Sequence, residues 1–337
     1  IKGRSPNAWQ AGIQTDRHHK RASITDIDCS RIQKVLEAGE IPVITGFQGM
    51  GQDDNITTLG RGGSDTTAVA LAAKLKADEC QIYVDVQGVF TADPKIEPKA
   101  RLLHKVSIGQ LLAYACLGGK VMQKRAVAIA SRYRVPMRVC PTFIEGPGTM
   151  VDYDTKNSVE KTEVRAVAYA KNQVLLRITV AHTVQKDMQD LLRLMDKSGL
   201  EIEHTIKQSM RPQASSPGHY YLDCLLAAED YSCFKEALDA WLLDKEPEDY
   251  RVIRNLAKVS LLGYGMTRNM EVTSKMMEIG EQLNITYYLL QGADQQISIV
   301  IEQQYLELVV RKLHEGFHLD RSHYESSKNV AIVDATA

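Results

Sequence analysis

Thr57-Thr58-Leu59-Gly60-Arg61-Gly62-Gly63-Ser64-Asp65-Thr66-Thr67 places three glycines, an arginine and a capping residue in one short turn. Apolar alternation stops at Leu59, and Ala68, Leu71, Ala72 and Leu75 then recur at helical spacing. The glycines therefore stand where a strand hands over to a helix, with Ser64 as the expected N-cap. A helix start carries unsatisfied N–H groups and a partial positive charge, and glycine lets a ligand come close to that backbone. Arg61 adds a planar fork of donors matched to carboxylate or phosphate. The turn is a candidate anion site.

Outward from this turn, residues 1 to about 153 alternate strand-like runs (41–44, 81–86, 137–140) with helical ones (31–38, 66–75, 108–117, 124–133). That alternation predicts an α/β domain with a mostly parallel sheet. Gly146-Pro147-Gly148 marks a turn near its end, and the charged stretch 154–163 reads as a linker. Beyond it, strand, helix, strand, strand and helix are expected twice in succession, an internal repeat of roughly 70 residues. Two prolines and three serines in 208–218 predict a loop inside the first repeat, and 323–337 reads as a polar tail.

The motif order around the glycine turn is specific. Gly46-Phe47-Gln48-Gly49 precedes it, Tyr83-Val84-Asp85-Val86-Gln87-Gly88-Val89-Phe90-Thr91-Ala92-Asp93-Pro94 follows, and Leu117-Gly118-Gly119-Lys120-Val121-Met122 comes later. Together these resemble the aspartate kinases, and the doubled C-terminal unit resembles their paired ACT domains. The resemblance implies a three-layer amino-acid-kinase domain over 1–153, ACT units over 164–250 and 251–322, and ATP-dependent phosphorylation of the L-aspartate side chain. In that family the ACT pair binds end-product amino acids and pairs subunits, so lysine or threonine as effector and a homo-oligomer are implied.

Carried over residue by residue, Arg61 would grip an aspartate carboxylate, with Gly62, Gly63 and Ser64 offering donors around it. Asp65 matches the family's active-site acid; read without the family, it is a first-turn acid complementing the helix dipole. Val84, Asp85, Phe90, Thr91, Ala92, Asp93, Pro94 and Lys95 align with the nucleotide segment, and Lys120 with the lysine that reaches the ATP phosphates. Here the chain departs from the family: Val84 replaces a hydroxyl residue, Gln87 an aspartate, Phe90 a tyrosine and Lys95 an arginine. Phe90 keeps a ring that can pack on a base, but Val84 has no donor. Magnesium is implied by the reaction, held mainly through phosphates and water, so no metal residue is assigned.

The family's opening strand with its Lys-x-Gly-Gly turn, and the helical region that supplies a substrate-binding glutamate, have no counterpart before Asn7-Ala8-Trp9-Gln10-Ala11-Gly12. A fragment with little activity of its own is the expectation. Both Pro-Gly turns that lead into the ACT helices are also replaced, by His182-Thr183-Val184-Gln185 and by Asn269-Met270-Glu271. Without glycine, an effector loses access to backbone amides, so weak effector binding is expected, with Leu261, Tyr264, Tyr287 and Leu289 as packing groups of a dimer. The competing reading is a regulatory or assembly chain without kinase activity. A dinucleotide-binding dehydrogenase is disfavoured, because G-x-G-x-x-G and its downstream acid are absent.

Composition narrows the partners. Lys plus Arg (41) nearly equals Asp plus Glu (42) in 337 residues, so no net field favours nucleic acid or an anionic membrane. No apolar run approaches the roughly 18 residues of a membrane helix. Six scattered cysteines lack metal or C-x-x-C spacing, which fits a reduced cytoplasm. Cys116 and Cys140 are expected as buried small hydrophobes.

Overall fold

The computed structural model describes residues 2–19, 21–116, 121–153, 162–180, 184–198, 203–209, 219–245, 249–266, 270–293 and 295–321. Gly118, Gly119 and Lys120, most of the expected linker, His182, Thr183, most of the expected loop, Asn269 and the expected tail lie outside the described residues.

The N-terminal half runs β1 (Gly3–Arg4), β2 (Ile13–Thr15), β3 (Ile24–Ile27), α1 (Ser30–Glu37), β4 (Ile41–Pro42), β5 (Gln48–Met50), β6 (Ile56–Thr58), α2 (Gly63–Leu75), β7 (Cys80–Val84), β8 (Lys105–Ser107), α3 (Ile108–Cys116), α4 (Lys124–Tyr133), β9 (Met137–Pro141) and β10 (Thr149–Asp152). It is α/β, but its strands form three sheets, β7-β9-β10-β8, β3-β2-β5-β6 and β1-β4. Among the described strands β7–β9, β8–β10, β1–β4 and β2–β5 pair in parallel, so the sheet that carries α2 is mostly parallel as expected, whereas β2–β3, β5–β6 and β9–β10 are antiparallel because short connections join them.

Helices α2 and α4 cover one face of the first sheet. Val69 and Ala72 from α2 and Ala126, Val127 and Ala130 from α4 meet Ile82, Met137 and Val139. Small alanines bring the two helices close, and the same cluster takes in Ala166, Ala168 and Leu262 from the C-terminal half. Cys140 is buried as expected, but Cys116 is exposed.

The C-terminal half contains β11 (Glu163–Val180), α5 (Val184–Lys197), β12 (Glu203–Ser209), β13 (His219–Ala227), α6 (Ala228–Lys245), β14 (Asp249–Tyr264), α7 (Met270–Gln282), β15 (Leu289–Ala293), β16 (Gln296–Glu302) and α8 (Leu306–Gly316). Its strands form one six-stranded antiparallel sheet, β12-β13-β11-β14-β16-β15, rather than two separate small ones.

The strands of the two expected repeats, 164–250 and 251–322, are interleaved in this sheet. Residues 173–180 of β11 pair with β13 and with 249–256 of β14, under α5 and α6. Residues 163–170, although earlier in the chain, pair among the described residues with 258–264 of β14 and pack with the second unit, under α7 and α8. The physical reason is a paired kink. Asn172 (φ 56°) and Asn255 (φ 58°) both take left-handed backbone, which asparagine tolerates, and the register shifts around them. The shift changes which side chains face the helices, from Val167 before the kink to Val174 and Leu176 after it.

Candidate active site

Four-residue connections return α2 into β7 and Arg134-Val135-Pro136 returns α4 into β9, with β7 and β9 parallel. The N-termini of both helices and the C-terminal ends of both strands therefore share one end of the sheet, where ligands of α/β folds bind. Residues 61–65, 84–95 and 121–123 all come from that end.

The glycine turn is built more tightly than its sequence reading. Helix α2 begins at Gly63, and its N-cap is Gly62 at φ 68°, with no side-chain cap. Ser64 is thus inside the first turn and is not the cap. The reason is steric: a Cβ on Gly62 would lie 1.7 Å from Gln123 Cγ, and one on Gly63 would lie 2.8 Å from Phe47 Cδ2. The Gly63 N–H closes the turn onto Gly60 O at 3.0 Å. Thr67 donates to Gly63 O at 2.8 Å and accepts the Phe47 N–H at 3.1 Å, binding the Gly46–Gly49 segment to the helix start. Arg125 of α4 donates to Leu59 O and Ala22 O at 3.0 and 2.7 Å and locks the entry strand. Sequence reading missed Gln123 and Arg125, which carry no local signal.

Arg61 stands exposed at this turn, and its Nη2 meets Glu229 Oε2 of α6 at 2.9 Å. Beside it, Arg21 Nη2 reaches Asp230 Oδ1 at 3.3 Å. Asp65 is half-buried, and burial raises its carboxyl above the ordinary aspartate value, opposed by hydrogen bonds from the Gln123 N–H and the Ser64 hydroxyl. Its carboxylate thereby ties the start of α4 to the start of α2.

The segment after β7 divides into two environments. Asp85, Pro94 and Lys95 are exposed, and Val84, Phe90 and Asp93 are half-buried. Val84 O accepts both the N–H and the hydroxyl of Thr142 at 2.9 and 2.8 Å, closing the loop after β9 onto the end of β7. Thr91 and Ala92, by contrast, are buried against the C-terminal half: Ala92 packs with Ile96, Val167 and Val310, and Thr91 Oγ1 lies 3.0 Å from His314 Nε2. Their side chains face that half, because residues 90–97 fold under β11 and α8. Lys120 is outside the described residues. Met270 begins α7 and is exposed, with Glu271 in the same first turn. Leu261 and Leu289 are buried within the chain's own core, so neither offers a dimer face.

Residues 3–141 match the model of the amino acid kinase family. The chain is 38% identical over 311 residues to the aspartate kinase Ask_LysC of Stutzerimonas stutzeri, covering 92% of this chain and 74% of that protein. It is 36% identical to the aspartokinase of Geobacillus stearothermophilus, covering 94% and 76% respectively. The crystal structure of E. coli aspartokinase III in complex with aspartate and ADP superposes with a TM-score of 0.76 at 21% identity over 94% of this chain and 70% of that one, a likeness of fold. Sequence identity of this extent, on a fold that brings the Arg61 turn and the 84–95 segment to one end of the sheet, establishes that the chain belongs to the aspartate kinase family.

Proposed function

We propose that this chain carries the phosphoryl-transfer site of an aspartate kinase, moving the γ-phosphoryl of ATP onto the side-chain carboxylate of L-aspartate. The observation that carries the reading is the exposed Arg61 fork on a glycine turn at the N-terminus of α2, at the same end of the sheet as residues 84–95. The acceptor carboxylate has a pKa near 4 and is already ionised at neutral pH, so no base is needed. The work of the site is to position two anions and offset their repulsion.

Arg61 would hold the carboxylate that is not phosphorylated, with Gly62, Gly63 and Ser64 lending the positive end of α2. Asp65 would hold the starts of α2 and α4 in register at the end of the sheet that receives the phosphates, and Lys120, carried over from the family, would reach them. Asp85, Phe90, Asp93, Pro94 and Lys95 would line the nucleotide, while Thr91 and Ala92 would support it from beneath. Magnesium would arrive on the nucleotide phosphates, where it neutralises charge on the transferring group.

One relative's structure, E. coli aspartokinase III, is described in complex with lysine and aspartate. By that analogy the C-terminal sheet here would be an effector module, and the resemblance to paired ACT domains adds assembly of a homo-oligomer. An exposed Met270 and an acidic Glu271 at the start of α7 argue for weak binding of lysine or threonine. Six scattered cysteines without metal or C-x-x-C spacing suit a reduced compartment such as the cytoplasm, and no described helix is long and apolar enough to cross a membrane.

The test is ATP- and aspartate-dependent formation of acyl phosphate, trapped as the hydroxamate, by the protein carrying this chain in its full reading frame. Absence of aspartate-dependent ADP release would overturn the reading in favour of a purely regulatory chain.

A further inference from the structure

The nucleotide segment is held from below by the second regulatory unit, through side chains on two separate elements. Tyr169, on the first part of β11, donates its hydroxyl to Asp93 Oδ2 at 2.6 Å. Asp93 Oδ1 accepts the Lys95 N–H at 2.9 Å, and Asp93 O accepts the N–H groups of Ile96 and Glu97, so this one residue shapes the turn that displays Pro94 and Lys95. From α8, Arg311 Nε donates to Ile96 O at 2.8 Å. His314, 1% exposed, meets the Thr91 hydroxyl at 3.0 Å.

Thr91 Oγ1 also accepts the Arg101 N–H at 2.9 Å, which leaves it one hydrogen and one further lone pair, so it bonds His314 Nε2 in either neutral tautomer of the ring. Burial holds the His314 pKa below its ordinary value, which keeps the ring neutral. The Tyr169 phenol is held above its ordinary value by burial and by the Asp93 carboxylate, so it remains a donor. The Val167 N–H adds a backbone bond to Thr91 O at 2.8 Å.

We propose that Tyr169, His314 and Arg311 are positioning residues for ATP: they hold residues 91–96 in the geometry that receives the nucleotide, and so make the position of β11 and α8 a determinant of ATP affinity. The inference rests on reading 84–95 as the nucleotide segment. None of the three side chains needs to touch the nucleotide. Because Tyr169 comes from β11 and His314 and Arg311 from α8, a shift of either element relative to the sheet of the N-terminal half moves the Asp93 turn.

The experiment is steady-state kinetics with ATP and aspartate varied separately, with ADP binding measured by calorimetry, on the full reading frame. Tyr169→Phe keeps the ring and its volume and removes only the donor. We expect the ATP KM and the ADP dissociation constant to rise about threefold to tenfold, part of the roughly tenfold to hundredfold that one hydrogen bond to a charged acceptor is worth, because Tyr169 acts through the Asp93 turn, with the aspartate KM and kcat within about twofold of wild type. His314→Gln, whose amide can still hydrogen-bond Thr91, should retain wild-type ATP KM, whereas His314→Leu should raise it as Tyr169→Phe does. Unchanged ADP binding in Tyr169→Phe, or equal changes in both KM values, would overturn the proposal. Wild-type protein that binds no ADP would overturn the nucleotide reading itself, an outcome distinct from variants that bind as wild type does. Should His314→Leu fail to fold, Tyr169→Phe alone decides.

Discussion

The Arg61–Glu229 pair makes the substrate reading quantitative. Arg61 and Glu229 are 78% and 80% exposed at the side chain, and they meet at 2.9 Å across 168 residues of sequence. In water two unit charges at about 4 Å attract by about 1 kcal/mol, and exposed pairs measure about 0.2–1 kcal/mol once side-chain entropy is counted. A substrate carboxylate that displaces Glu229 must overcome that amount. Converted, it is a roughly 1.4- to 5-fold loss of aspartate affinity. Glu229→Gln should therefore lower the aspartate KM by that factor at low ionic strength, leave the ATP KM alone, and lose its effect at about 0.5 M salt, where exposed charges are screened. Arg61→Lys keeps the charge but loses the two-pronged geometry, so it should weaken aspartate by about 1.5–3 kcal/mol, roughly tenfold to a hundredfold, and ATP far less. Both follow from initial rates in a coupled ADP-release assay. If Arg61→Lys keeps the wild-type aspartate KM and kcat, Arg61 is not a substrate residue; if Glu229→Gln raises the aspartate KM, Glu229 orients the arginine instead of competing for it.

Asp65→Asn should cut activity yet leave the protein as stable or more stable at pH 8: a raised carboxyl pKa means that the ionised form opposes folding above that pKa. The stability gain should shrink as pH falls from the raised pKa towards the ordinary aspartate value and be gone below it, and a lower melting temperature at pH 8 than wild type would contradict the sign. Gly62→Ala should destabilise by at least about 1–2 kcal/mol, since φ is 68° and the new methyl would meet Gln123 at 1.7 Å. Urea unfolding with an unchanged midpoint would refute that account. Calorimetry on the whole protein should give lysine and threonine dissociation constants weaker than about 0.1 mM, and a tighter value would show a working effector site despite Met270 and Glu271.

What the sequence by itself determined is local: the strand-to-helix turn at 57–67, the helices from their spacing, and the motif order that marks the family, because backbone propensity and side-chain period act over a few residues. Even there the cap was misplaced, from Gly62 to Ser64, since the need for glycine at 62 comes from Gln123 on another helix. Tertiary structure alone decided the interleaving of 163–170 with the second unit, which depends on strand register and on matched kinks at Asn172 and Asn255. It also decided that Thr91 turns inward to His314 and that Arg61 meets Glu229, contacts spanning 223 and 168 residues. Pairings at such separations leave no periodic trace in the chain, because each partner looks like an ordinary polar residue until the sheet brings the two together.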